Sequence, residues 1–282
     1  MSNYQTILVH IDQRADSEAR LRVAVDVARR FKSQLVGMYL DGSPEVTPSM
    51  AAVLPDDVVT KYLRGAGDRQ AAAEAAFRRA AEAEALTDID WRAPRGLAVD
   101  AAVAHSRCAD LIVLGQPRPG ETGESFSSQL VASVLMDSGR PLLVVPYIGA
   151  GQRFATNVLI AWDGGREAAR AVADAMPLLQ GARQVTVACY DPGASARGAD
   201  EAGRQRLAGY LRRHGVATKI EHDDLTGGDI GVGDRLLSRV MDLSSDLIVM
   251  GGYGHSRWRE RVLGGATRTL IATMTVPVLI AH

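Results

Sequence analysis

The chain has 282 residues, long for one domain and comfortable for two, and its 46% hydrophobic and 23% charged residues are the balance of a globular protein. Its 32 Lys+Arg and 33 Asp+Glu nearly cancel, which excludes a whole-protein electrostatic attraction to nucleic acid or to anionic membrane. The two cysteines, Cys108 and Cys189, lie far apart with no metal-ligand spacing and are expected to be small buried hydrophobes of a reducing compartment; with no basic leader and no apolar run of bilayer length, the expected location is the cytoplasm.

"ILVHID" (7–12) is a short unbroken apolar run closed by an acid, the pattern of a strand covered on both faces. After Tyr39, residues 41–68 start rich in Pro and Gly and read as an insertion. Residues 69–86, rich in Ala, Glu and Arg, read as a covering helix. "ADLIVLG" (109–115) and "RPLLVVP" (140–146) supply further strands, and "YIGAGQ" (147–152) is a short linker. Beyond it, strands are expected at 158–162, 185–190, more weakly 218–222, then 247–250 and 278–281. Between them Leu236, Leu237, Val240 and Met241 recur at helical spacing, as do Leu270, Ile271 and Met274.

The chain is written twice. "ILVHID" matches "VLIAWD" (158–163) and Tyr39 matches Tyr190, both at an offset of 151. "ADLIVLG" matches "SDLIVMG" (245–251) and Pro141 matches Pro277, both at 136, so the first half carries a net 15 extra residues between Tyr39 and Asp110. Strand–helix alternation with long crossovers predicts an α/β fold: two tandem, doubly wound, Rossmann-like domains of five parallel strands, at residues 1–147 and 153–282.

In such sheets ligands bind outside the carboxyl ends of the strands, where strand order reverses. Asp163, Cys189 with Tyr190, and the segment following residue 250 meet that condition. That segment, "GGYGHSRWRERVLGGAT", places Gly251, Gly252, Gly254, Gly264 and Gly265 around one strand-to-helix connection, with Arg257, Arg259, Arg261 and Arg268 nearby. Glycines let backbone N–H groups approach a ligand, and a helix N-terminus presents unpaired donors, so an anion seat suited to phosphate is expected. The bland alternative is a set of turn glycines beside a solvated basic helix. For Asp163 the two readings are help in holding Mg²⁺ with phosphate oxygens, or a turn before the helix at Arg166. Trp162 reads as core or as an adenine contact, and His10, His105 and His214 as core or surface residues.

Several other chemistries fail. The nucleophile-elbow pattern around Ser256 breaks at Trp258, and His255 beside it establishes no base geometry, so Ser256 reads as a loop hydroxyl or cap. There is no P-loop motif, and the first strands lack the dinucleotide glycine fingerprint. "HDD" (222–224) has no second ligand cluster and reads as a surface turn.

Gly251-x2-Gly254-x9-Gly264-Gly265, with the paired first, fourth and last strands of both halves, resembles the universal stress protein family in its tandem bacterial form. The resemblance implies an adenine-nucleotide (ATP, ADP or AMP) binding protein of the stress response, regulatory rather than catalytic, with at most slow ATP hydrolysis. It implies that Asp163 lies near adenosine, that Cys189 lines the adenine pocket, and that backbone at Gly251, Gly254, Gly264, Gly265 and Ala266 holds ribose and phosphates, with His255 and Ser256 in the same loop. The usual Ser or Thr after the last glycine is Gly265 here, and Thr267 is the nearest substitute hydroxyl. In the first half Asp12 is kept, but Arg118 stands at the place of Gly254 and Ser128 at that of Gly264, so this half is expected to have lost that mode of binding. It is expected instead to pair with the second as a pseudo-twofold partner through 142–145 and 278–281, the strand by which family members often associate; a homodimer is a further expectation. The rival readings are a nucleotide-free dimerising module of the same fold and a slow phosphohydrolase.

Overall fold

The computed structural model describes residues 3–40, 42, 49, 52–118, 125–151, 153–190, 201–223, 231–252 and 265–282. The first half runs β1 (Thr6–Ile11), α1 (Ser17–Phe31), β2 (Gln34–Tyr39), α2 (Asp56–Ala83), β3 (Ile89–Arg92), α3 (Ala98–Ser106), β4 (Leu111–Gly115), α4 (Phe126–Asp137) and β5 (Leu142–Val145). The second runs β6 (Asn157–Trp162), α5 (Arg166–Asp174), α6 (Met176–Gly181), β7 (Gln184–Tyr190), α7 (Glu201–Arg213), β8 (Thr218–Asp223), α8 (Val232–Asp242), β9 (Leu247–Gly251), α9 (Gly265–Thr273) and β10 (Val278–Ala281). Every strand expected from the second half's apolar runs is present within a residue or so.

The ten strands form one continuous sheet in the order β3-β2-β1-β4-β5-β10-β9-β6-β7-β8. Within each half all pairs are parallel, and the halves join through antiparallel β5 and β10, with Leu143 opposite Leu279. The expected pseudo-twofold pairing is therefore built into the sheet. Strand residues alternate between two apolar layers. Ile7, Val9 and Ile11 face a layer with α1, α2, α5, α6 and α7, whereas Leu8 faces one with α3, α4, α8 and α9. Both layers run across the β5–β10 seam, so the halves share their core.

The aspartates of the repeated "DLIV" motif explain part of the internal similarity. Asp110 Oδ2 accepts from the backbone N–H groups of Gln5 and Thr6 at 2.8 and 3.0 Å. Asp246 Oδ1 accepts from Thr156 and Asn157 at 2.8 and 2.9 Å. Each carboxylate pins the entry of its half's first strand, satisfying donors that precede the ladder.

Two expectations need correction. The covering helix begins at Asp56 rather than Arg69, so α2 has 28 residues and takes in part of the stretch 41–68 that reads as an insertion. Pro55 at its N-cap and the acidic first turn Asp56–Asp57 start it. Cys108 is exposed, because it follows α3 at the surface, while Cys189 is buried as expected.

Candidate functional site

Strand order reverses between β1 and β4 in the first half and between β6 and β9 in the second. These two points are related by the repeat, yet their surroundings differ.

In the second half, Asp163 follows β6 and its Oδ1 accepts from Gly165 N–H at 2.8 Å, next to Gly164 at φ 75°. The turn reading of Asp163 is thus realised. Among the described residues Asp163 has no ion-pair partner. The glycines at the end of β9 have a different reason from the one expected. A Cβ on Gly251 would stand 2.5 Å from Ala168 N and 2.7 Å from the Glu167 carbonyl carbon, so β9 presses directly on the first turn of α5. A Cβ on Gly252 would stand 2.8 Å from Ile280 Cδ1 and 3.1 Å from Leu135 Cδ2, and its N–H already donates to Ala281 O at 2.9 Å. Neither has positive φ. These two positions are close-packing glycines, and Gly252 offers no free amide.

Cys189 lies between Trp162 and His222 in register and is fully buried, with burial pushing its thiol up to about 11. A neutral, packed thiol is a wall, not a nucleophile. Gly265 and Ala266 open α9, and Thr267 is buried in its first turn. Gly254, His255, Ser256 and Gly264 lie outside the described residues. So does Asp224 of the "HDD" triplet; His222 and Asp223 lie in edge strand β8. No metal-binding cluster of His, Cys, Asp or Glu occurs among the described residues.

At the first-half switch point the carboxylates are paired with the chain's own arginines. Arg20, 2% exposed, donates from Nη2 to Asp12 Oδ1 at 2.9 Å and to Ser17 Oγ at 3.1 Å. Arg118 donates from Nη2 to buried Asp16 Oδ1 at 2.6 Å. The guanidinium of Arg20 lies against Gly115, where no Cβ fits. Burial pulls the Asp12 carboxyl upward, but Arg20, His10 and Arg14 outweigh it and hold Asp12 below the usual carboxylate range. His10 is buried with Nε2 2.7 Å from Leu40 O; burial, then Arg20, lowers it to about 4, so the ring is neutral. At the same repeat offset the second half has Ala168 for Ser17 and Ala171 for Arg20. The two halves carry that contrast in their sequences, at the offset of 151.

Across the seam, the Gln116 side chain donates from Nε2 to Ile271 O in α9 at 2.8 Å, and its Oε1 accepts from Tyr147 N at 3.0 Å. Tyr4 Oη donates to Asp174 O at 2.7 Å. The Gln116–Ile271 and Tyr4–Asp174 bonds tie the first half to helices of the second.

This is a duplicated, doubly wound α/β protein. The universal stress protein family model matches residues 3–146 and 155–282, and the chain belongs to that family. Among solved structures it is similar to a universal stress protein from Archaeoglobus fulgidus, 14% identical, with 98% of each chain covered and a TM-score of 0.69. It is also similar to two Pseudomonas aeruginosa proteins. A functionally unknown one is 14% identical, with 99% of this chain and 92% of that chain covered and a TM-score of 0.57. A putative universal stress protein is 15% identical, with 99% and 93% covered and a TM-score of 0.56. These likenesses establish the fold. No curated protein matches the sequence. No described helix is long and apolar enough to cross a membrane.

Proposed function

We propose that this chain is a cytoplasmic, regulatory adenine-nucleotide-binding protein of the stress response, with one nucleotide held by the second of two units at residues 1–147 and 153–282. The observation that carries the reading is the asymmetry of the two switch points. Asp12 is neutralised by Arg20 and Asp16 by Arg118, whereas among the described residues Asp163 has no ion-pair partner and α5 carries Ala171 at the place of Arg20. An unneutralised carboxylate at a strand end suits ribose hydroxyls or a Mg²⁺ ion shared with phosphates. Gly265 opens α9, and a helix N-terminus presents N–H donors to phosphates; Gly254, His255, Ser256 and Gly264 precede it in sequence. Cys189 backs the adenine side. Gly265 lacks the hydroxyl that Ser or Thr brings, which costs about 1 kcal/mol of affinity.

Binding shifts an equilibrium of conformation or association by its differential affinity for the two states. Turnover is slow in this reading, since the sequence offers neither a positioned base nor a water-orienting residue.

Isothermal titration calorimetry with Mg-ATP, Mg-ADP, AMP and cAMP tests it. The expected result is one site per chain, lost in Gly254→Val, weakened in Asp163→Ala and unchanged in Arg118→Gly. No uptake by wild type at millimolar nucleotide sinks the reading and leaves the nucleotide-free module. Two sites per chain would show that the first half also binds.

A further inference from the structure

We infer that Gln116 of the first half is a positioning residue for the nucleotide site of the second, gripping helix α9 from across the seam. The inference rests on the nucleotide reading above and adds a route by which one half acts on the other.

Gln116 follows β4 and is 1% exposed. Its side-chain amide is bonded at both ends. Oε1 accepts from Tyr147 N, just past β5, at 3.0 Å, and Nε2 donates to Ile271 O at 2.8 Å. Ile271 lies in the last turn of α9, among the four terminal carbonyls that a helix leaves without an internal donor. The same helix opens at Gly265, about 9 Å away along its axis. One short helix therefore has its carboxyl end held by the first half and its amino end at the place proposed for phosphate.

The repeat supplies a comparison within the molecule. At the offset of 136, Gln116 corresponds to Gly252 and Ile271 to Leu135. The backbone bond is the same in both: Gln116 N–H donates to Val145 O at 2.8 Å and Gly252 N–H to Ala281 O at 2.9 Å. The close approach is repeated as well, since a Cβ on Gly252 would stand 3.1 Å from Leu135 Cδ2 in α4. Each switch-point segment thus abuts the last helix of the opposite half, but only the first half sends a side chain across. Glycine closes the same junction in the other copy, so the fold itself does not require the amide. The grip runs one way, toward the half with the glycine-rich segment.

Leu270 and Ile271 also bury α9, but apolar burial is non-directional. A hydrogen bond to a terminal carbonyl is directional and complements the negative end of the helix. It fixes α9 along its axis, and a slide of about 1 Å is enough to misplace donors at the far end. Coupling of this kind is reciprocal. A nucleotide that holds α9 must also steady Gln116, and with it the Tyr147 N–H.

Calorimetry with Mg-ATP and amide hydrogen exchange of the full chain, with and without Mg-ATP, test this. Gln116→Met keeps the volume and removes the donor, and is expected to weaken Mg-ATP binding on the order of tenfold. Arg118→Gly, two residues on, leaves it unchanged. In wild type, Mg-ATP slows exchange of the Tyr147 N–H at least about threefold. In Gln116→Glu the protonated acid can still donate to Ile271 O and the carboxylate cannot, so binding relative to wild type weakens from about pH 6 to about pH 8. A Gln116→Met protein that binds as wild type does, even if less stable to urea, makes Gln116 a packing residue and overturns the proposal. So does a wild-type Tyr147 amide indifferent to bound nucleotide, a result that needs no variant to fold. Absence of Mg-ATP uptake by wild type is a different failure: it removes the nucleotide reading itself, and this inference with it.

Discussion

His10 gives the most quantitative expectation. It is buried on β1, its ring against Leu40 O, with Arg20, Asp12 and Arg14 as the charged groups around it and Phe126 edge-on at 6.2 Å. The folded pKa of about 4 lies below the unfolded value of 6.5, so the unfolded chain takes up a proton first as pH falls. Stability is therefore full above 6.5 and is lost as pH drops through that value, until the native ring itself protonates near 4. Linkage puts the loss between pH 7 and pH 5 at about 2 kcal/mol. Asp12, held low, makes its contribution above pH 3.8 and stays ionised in the native state across this window; Asp174, raised by burial, acts in the opposite sense and is common to both proteins compared. His10→Gln removes the titration while an amide N–H can still donate to Leu40 O. Urea unfolding followed by tryptophan fluorescence at pH 7 and pH 5 should give a drop in wild type larger by about 2 kcal/mol than in the variant. Equal drops would refute the assignment of a neutral buried ring.

Asp246→Ala should lower stability by about 2–3 kcal/mol in urea unfolding, since two backbone donors entering β6 lose a charged acceptor, and Asp110→Ala should match it on β1. Gly251→Ala should cost about 1–3 kcal/mol, because its Cβ would meet backbone of α5 rather than a yielding side chain, and it should weaken nucleotide uptake in calorimetry as well. A thiol reagent at neutral pH should label Cys108 in the native protein and reach Cys189 only after unfolding, as burial and a thiol pKa of about 11 both protect it.

The strands were legible because a parallel strand covered on both faces must be apolar without interruption, and "LIVM" or "VLIA" has few other uses. The repeat made the duplication visible, and with it the pairing of the halves. The start of α2 was not legible: Gly65 and Gly67 dilute helical propensity, and the Pro55–Asp56–Asp57 start signal lies beside a Pro/Gly-rich stretch that reads as loop. The glycines at the end of β9 were read through their own sequence neighbours. Their reason lies in Ala168 and Glu167 for Gly251, and in Ile280 and Leu135 for Gly252, contacts that only folding creates. Arg20 carried a signal, an arginine eight residues after Asp12 where the other half has alanine, but its burial against Gly115 depends on α1 lying over β4.

The antiparallel seam has a genetic consequence. Two identical subunits joined across β5 and β10 would be bound by symmetry, and any substitution would appear twice, on both sides of the axis. Fusion of the copies into one polypeptide frees them to drift apart. A substitution such as arginine in place of alanine on the first covering helix can then neutralise one strand-end carboxylate and leave its twin untouched, while every molecule still inherits both.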